Sequence, residues 1–446
     1  MKKRTAKRCV VLLVITYLAV MVAGIFIYRD FRQSRNHTKQ TISEVSTSDI
    51  VDFADNSEIT EELGENEKNQ SNETNDQQDA YGEDNHKVGD SVNMATSEGE
   101  QVEGTQTNEN ESINWNETIS NNATQTESEN QENEEFRPLN IMFTGDVYIG
   151  NYVSSVYDAK GINGVVSESL QNEFQSADIT MVNQEFPFST RGKPMENKQY
   201  TFRVDPAKVS LLTELGVDIV SLANNHTLDY GEEAFLDTIT TLNDAGITYV
   251  GAGHDLEDAK AIRYYELQGK KIAVVSASRV LPVVEWYAGH GKPGVFSTYD
   301  TTQMLEQIKC AKEQADFVIA YVHWGIEHTE IANDTQRNMG KQYIDAGADL
   351  VVGSHPHVLQ GIEYYKDKAI VYSLGNFIFS QSIESTAAVK LSLHENNEYD
   401  LKIIPCKTVN GRIEEISSGH EAFYNRMTNN SFHAKLDENG YVIPLN

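Results

Sequence analysis

Cysteine is scarce in this sequence: three among 446 residues, at positions 9, 310 and 406. There is no Cys-x-x-Cys pair and no disulfide framework. A bridge between Cys310 and Cys406 is open to a chain outside the cell, and spacing alone does not show one. Nothing like a lipobox precedes Cys9, which argues against a lipoprotein. Positive charge is also in short supply, with 36 Lys and Arg against 67 Asp and Glu and a formal net charge of −31. That balance argues against nucleic acid or acidic lipid as a partner. Internal repeats are absent.

What is present begins with one long apolar run. Cys9 to Tyr28 is interrupted only mildly by Thr16, Tyr17 and Gly24, and about 20 apolar residues suffice to span a bilayer. Lys2, Lys3, Arg4, Lys7 and Arg8 precede it, and Arg29, Arg32 and Arg35 follow. The heavier positive charge before the span predicts an N-terminus inside and a C-terminus outside. A cleaved signal peptide is the rival reading. Ile25-Phe26-Ile27-Tyr28 continues the apolar core with no small-x-small site after it, which favours an uncleaved anchor. Either way the remainder is extracytoplasmic. Residues 1–36 are thus predicted to be a cytoplasmic basic stub and a membrane anchor of a single-pass bacterial cell-membrane protein.

The next segment, 37–137, is rich in Asn, Glu, Thr, Ser, Gln and Asp, with 26 acidic and 3 basic residues between His37 and Glu135. It cannot bury enough apolar area to offset its ordering entropy and is predicted to be a disordered linker. Most of the net charge therefore belongs to a tether, extended by self-repulsion, and not to the folded part. The tether reads either as a stalk through a cell wall or as a plain solubilising spacer.

Residues 138–446 are long enough for one large domain. Leu139–Phe143, Ile179–Val182, Ile219–Leu222, Thr248–Val250, Ile272–Val275, Phe317–Val322, Leu350–Val352 and Ile370–Tyr372 read as buried strands. Ser167–Phe174, Lys208–Leu215, Glu232–Ala245, Thr301–Ala315 and Asp334–Ala346 read as helices between them. This alternation predicts an α/β fold with parallel or mixed sheets. Ala387–Leu393 and Tyr399–Pro405 read as an antiparallel pair.

The polar residues worth attention all follow strands, where open α/β sheets gather their sites. They are Asp146, Glu185, Asn225 with His226, His323, and His355 with His357 across Pro356. Each alone has an ordinary reading: a turn or helix cap for Asp146, a solvated Glu185, an Asx-turn at Asn225, a satisfied half-buried His323, exposed His355 and His357. Their recurrence at successive strand ends is the signal. Two carboxylates, one amide oxygen and up to four imidazoles suit Mn²⁺, Fe²⁺ or Zn²⁺, one ion or two, better than Ca²⁺ or Mg²⁺.

These motifs carry a resemblance. Gly145-Asp146, Asn183-x-Glu185, Ala223-Asn224-Asn225-His226 with Asp229 and Gly231, His323-Trp324-Gly325-x-Glu327, Gly353-x-His355-Pro356-His357 and Tyr372-Ser373-Leu374-Gly375-Asn376-Phe377 resemble the CapA/PgsA family of poly-γ-glutamate capsule synthesis, from about Asn140 to Phe379. That family is in turn similar to the calcineurin-like metallophosphoesterases. The resemblance implies an α-β-β-α sandwich of two mixed sheets flanked by helices, with a two-metal site at the strand ends. It implies Asp146 and His357 as first-site ligands, Glu185 as the bridge, and Asn225, His323 and His355 at the second site. His226 looks like the histidine that aids the leaving group, oriented by Asp229, which reads equally as a helix cap. Glu327 reads as support for His323 or as a base. The sequence departs from the superfamily in having Asp146-Val147-Tyr148 for Asp-x-His, so the first site lacks one ligand. It also has Glu for Asp at 185, and Ser354 and Gln184 at positions where the family usually has other residues.

The resemblance further implies partners: capsule synthase or export subunits, and an anionic polymer such as poly-γ-glutamate. Arg191, Lys193 and Arg203 read either as cationic help for that polymer or as ordinary solvated bases. Three functional readings stay open. One is a metal-dependent hydrolase, phosphoesterase or amidase, acting on the envelope. The second is a non-catalytic scaffold or polymer-binding subunit of a capsule machine. The third is a sensor or adhesin on a stalk, which no motif favours.

Overall fold

The computed structural model describes residues 136–445. The expected membrane anchor, and all but the end of the expected linker, lie outside the described residues. Among the described residues no helix is long and apolar enough to cross a membrane.

In chain order the strands are β1 (Leu139–Val147), β2 (Ile179–Gln184), β3 (Ile219–Ser221), β4 (Thr248–Val250), β5 (Ala252–Gly253), β6 (Arg263–Leu267), β7 (Lys270–Ser278), β8 (Gly294–Val295) and β9 (Phe317–His323). There follow β10 (Leu350–Ser354), β11 (Ile362–Tyr365), β12 (Lys368–Val371), β13 (Asn376–Ile378), β14 (Thr386–Leu393), β15 (Tyr399–Val409), β16 (Arg412–Glu415), β17 (Ala434–Leu436) and β18 (Val442–Pro444). One sheet runs β16-β15-β14-β1-β2-β3-β4, with β13 beside β1, and the other runs β11-β12-β10-β9-β7-β6. In the first, β1 to β4 are parallel and β14 to β16 antiparallel. In the second, β7, β9, β10 and β12 are parallel, with antiparallel strands at both edges. Both sheets are therefore mixed.

The alternation of side chains along each strand builds the layers. Ile141 and Phe143 of β1, Ile272 and Val274 of β7, and Phe317 and Ile319 of β9 share one buried cluster, so the two sheets face each other. Their sequence neighbours point the other way. Met142, Val182 and Val220 meet the helices Glu168–Gln175, Val209–Leu215 and Gly231–Asp244 through Phe174, Leu212 and Phe235. Ala273, Val275, Val318 and Ala320 meet the helices Thr302–Lys312 and Asp334–Ala346 through Met304, Ile308 and Tyr343. With both faces covered, the central strands read as continuous apolar runs, which is why their positions were visible in the sequence.

Among the described residues Cys310 and Cys406 do not pair: Cys406 is a buried free thiol and Cys310 an exposed one. Cys406 packs in the helical layer outside the first sheet, whereas Cys310 rides on the helix Thr302–Lys312 outside the second. The bridge that spacing left open is not formed.

Candidate metal centre

Strand ends converge as the sequence implies. Asp146 lies near the end of β1, in register with Asn183 of β2 and Asn376 of β13. Glu185 follows β2, Asn225 and His226 follow β3, His323 ends β9, and His355 and His357 follow β10. All are C-terminal ends of parallel strands, and they come from both sheets. Their close approach depends on glycine at two places. A Cβ on Gly145 would lie 1.9 Å from the Gly375 carbonyl oxygen, and one on Gly353 would lie 2.2 Å from both the Trp324 indole nitrogen and the Tyr372 carbonyl oxygen.

Glu185 sits at the middle of the cluster. It is fully buried, yet neither carboxylate oxygen has a hydrogen-bond partner. Its Oε1 lies 3.6 Å from His323 Nε2 and 3.8 Å from His357 Nε2. The buried His355 Nδ1 is likewise without a partner. One ligand atom each from Glu185, His355 and His357 fall within 4.8 Å of one another. Buried polar atoms are almost always hydrogen-bonded, so the unpartnered Glu185 oxygens and His355 Nδ1, with His357 in the same cluster, are a donor set suited to a cation. This fits the borderline divalent ions expected from the ligand types.

The surrounding contacts orient these groups. Asp146 Oδ1 accepts from Asn183 Nδ2 at 2.8 Å, and its Oδ2 lies 3.4 Å from both the His355 backbone nitrogen and His357 Nδ1. His357 Nδ1 donates to Asn376 Oδ1 at 2.8 Å, which turns Nε2 to the Glu185 side. His323 Nδ1 is 2.9 Å from Ser354 Oγ and its Nε2 is 2.8 Å from Asn225 Oδ1. Such outer contacts fix tautomer and ring orientation in metal sites. His355 and His357 have φ of 98° and 58°. Left-handed backbone at non-glycine residues costs of order 1–3 kcal/mol each and gathers at functional sites.

His226 stands beside this cluster. Its Nδ1 is 2.6 Å from Asp229 Oδ2, and its ring stacks on Phe202 with centroids 4.0 Å apart. Phe202 stacks in turn on Tyr148 at 4.0 Å. Asp229 is fully buried. The helix Gly231–Asp244 has no side-chain cap at its start, so of its two expected roles Asp229 takes the one that orients His226.

Four expected residues are not in the cluster. Glu327 is exposed, and among the described residues no hydrogen bond joins it to His323; Ser354 occupies that role. Its charge still acts on Glu185 and Lys198. Arg191 pairs with Asp237 and Glu233, and Arg203 donates to the Arg191 carbonyl and covers the Tyr230 ring. Lys193 is exposed. The residue missed in the sequence is Lys198, whose ammonium contacts Asp229, the Asn225 carbonyl and His226. It is one base in a polar loop, and nothing in its spacing signals the contact.

Electrostatics follow from burial. Burial pushes the Glu185 carboxyl well above its ordinary range, opposed by the His357 charge and reinforced by Asp146. Burial alone would lower the His357 pKa, but Glu185 and Asp146 outweigh it and raise it to about 10. Burial and the charge on His357 lower His355 to about 3, and burial holds His323 well below its usual value. Unfolded histidine titrates near ~6.5. Above that value the folded chain holds a proton on His357 that the unfolded chain has lost, so stability falls as pH rises towards about 10. Below it the unfolded chain binds a proton that His355 refuses, so stability falls as pH drops towards about 3. In chelator-treated protein, urea midpoints are therefore expected to peak near pH ~6.5, with the alkaline limb flattened in His357→Gln. An unchanged alkaline limb in that variant would refute the assignment.

The profile of the bacterial capsule synthesis protein PGA_cap family matches residues 140–381. The PGA biosynthesis protein CapA of Bacillus subtilis (strain 168) is 33% identical over 272 residues, covering 60% of this chain and 71% of that one. The capsule biosynthesis protein CapA of Bacillus anthracis is 32% identical over 293 residues, covering 63% of this chain and 70% of that one. Among solved structures, the NAD nucleotidase of Haemophilus influenzae aligns over 66% of this chain and 62% of its own, at 11% identity and a TM-score of 0.39. On the family match and the two CapA relatives, the chain belongs to the PGA_cap family of bacterial capsule synthesis proteins.

Proposed function

We propose that this protein serves biosynthesis or export of a poly-γ-glutamate-type capsule polymer, and that its domain carries a divalent-metal centre of the calcineurin-like phosphoesterase kind. The observation that carries the metal reading is the trio of Glu185, His355 and half-buried His357, in which both Glu185 oxygens and His355 Nδ1 are buried without partners. The capsule reading is supported by the relatives' role in PGA and capsule biosynthesis. Asp146, Glu185 and His357 would hold one ion, and Glu185, Asn225, His323 and His355 a second. Such ions supply positive charge for an attacking and a leaving oxygen.

The chain's own residues supply the proton chemistry. Asp229 accepts from His226 Nδ1, which leaves Nε2 as the nitrogen available to a substrate. A histidine so oriented protonates a leaving group or donates to developing charge, worth about 10²–10⁴ in rate. Burial lowers the His226 pKa and Asp229 opposes that shift, so the carboxylate favours the protonated form during turnover. Phe202 shields one face of the ring from water.

The N-terminal apolar run would anchor the chain in the cell membrane, with residues 138–446 outside on the acidic tether. Capsule synthase or export subunits would be its partners, and the anionic polymer or an envelope ester or amide its substrate. The test is hydrolysis of phosphoester and γ-glutamyl amide substrates by the metal-loaded full chain. His226→Ala is expected to lower kcat by about 10²–10⁴ with metal content unchanged. Equal turnover by wild type and variant would remove His226 from the chemistry. Polymer export that persists without any hydrolysis would favour the scaffold role.

A further inference from the structure

The segment 190–204 is tied to Asp229 three times. The Met195 N–H donates to the Asp229 carbonyl at 2.8 Å, the Phe202 N–H donates to Oδ2 at 2.7 Å, and the Lys198 ammonium donates to Oδ1. Lys198 reaches further. It donates to the Asn225 carbonyl at 2.5 Å and lies 3.2 Å from His226 Nδ1. Its side chain is only 14% exposed, and its Nζ stands 5.2 Å from the centre of the Trp286 ring.

An ammonium group has three donor hydrogens and no acceptor. Here Asp229 Oδ1 and the Asn225 carbonyl take two, and the group stands against the His226 ring, whose Nδ1 hydrogen goes to Asp229. Two of its three donors are thus committed to the protein. A buried charge persists only where it is well paired, so this arrangement is specific in geometry. What it holds is the turn 225–229, which presents Asn225 Oδ1 to His323 and His226 to the site.

We infer that Lys198 is a positioning residue of the metal centre, fixing the backbone of Asn225 and the carboxylate behind His226 with one side chain. This role rests on the metal reading proposed above. Asn225 is a candidate ligand in its own right; Lys198 is the group that sets where its carbonyl and side chain stand. The segment 190–204 thereby becomes part of the site.

The test is calorimetric titration of the full chain with Mn²⁺, using wild type, Lys198→Met and Lys198→Arg, with ¹⁵N spectra of the His226 ring in the metal-free proteins. Losing a group that orients a metal ligand typically weakens affinity about 10–100-fold, and that loss is expected in Lys198→Met together with shifted His226 ring signals. Lys198→Arg keeps the charge and is expected to recover part of the affinity. Urea midpoints show whether each variant is folded. If Lys198→Met does not fold, Lys198→Arg carries the comparison, because a guanidinium cannot reproduce all three contacts. A folded Lys198→Met with wild-type affinity and unaltered His226 signals overturns the inference, as does such a Lys198→Arg where Lys198→Met does not fold. A wild type that takes up no Mn²⁺ instead sinks the metal reading and the inference with it, so the two failures are told apart.

Discussion

The double variant His355→Ala/His357→Ala is expected to hold no stoichiometric metal by elemental analysis, and the wild-type full chain is expected to hold one to two equivalents of Mn, Fe or Zn. It removes two of the three residues whose ligand atoms lie within 4.8 Å of one another and leaves Glu185 alone among them. Each of the two proposed ion sets also loses one imidazole, and the mostly oxygen donors left select a borderline ion poorly. Backbone strain does not confound the comparison, because φ of 98° and 58° is unfavourable for alanine as for histidine. About two equivalents in wild type would match the two ligand sets described, and about one would match a first site in which Tyr148 stands where the superfamily has histidine. Equal metal in wild type and variant would place the ion elsewhere and remove the centre from the protein's chemistry.

Gly145→Ala is expected to cost about 4 kcal/mol, in the range reserved for a few severe mechanisms. The new Cβ would stand 1.9 Å from the Gly375 carbonyl oxygen and 2.8 Å from its carbon. Both are backbone atoms, and that oxygen also accepts the Asp146 N–H at 2.8 Å. No side chain can swing aside, so β1 and β13 must part, and Asp146 moves with them. A native domain has only ~5–15 kcal/mol in hand, so urea unfolding should show a large loss of midpoint or no folded protein. Gly246→Ala is the control. Gly246 has φ 72° and nothing within 4 Å of the position a Cβ would take, so it reports backbone strain alone, about 1–2 kcal/mol. Equal losses at the two positions would refute the steric account.

Legibility differed by how local the cause was. The central strands were readable because burial on both faces makes them apolar throughout, as in Phe317–His323. The helix Asp334–Ala346 was readable to its ends, and Asn333 with Gln336 forms a capping box at its start. The candidate metal-centre residues were readable because each lies at the end of such a strand or just after it. Edge elements were not. β6, Arg-Tyr-Tyr-Glu-Leu, is half-buried along most of its length, and the helix Asn151–Lys160 buries only Val153 completely, so neither shows a clear apolar period. Lys198 was beyond reach because its role arises from a loop folding back across the site. Glu327 shows the converse: closeness in sequence to His323 did not bring it into contact, because the chain after Trp324 turns outward to exposed Ile326 and Glu327.

The sheet order fixes when the centre can exist during the protein's own making. β1, which carries Asp146, is flanked by β14 across residues Leu139 to Thr144 and by β13 at Asp146. Those partners come from the last third of the chain. Pairings so distant in sequence form late and slowly. A nascent polypeptide that has emerged only as far as His357 therefore has its histidines but lacks Asn376 to turn one of them and β14 to seat Asp146. Assembly of the candidate centre waits for nearly complete synthesis, and early fragments of this protein are expected not to hold an ion stably.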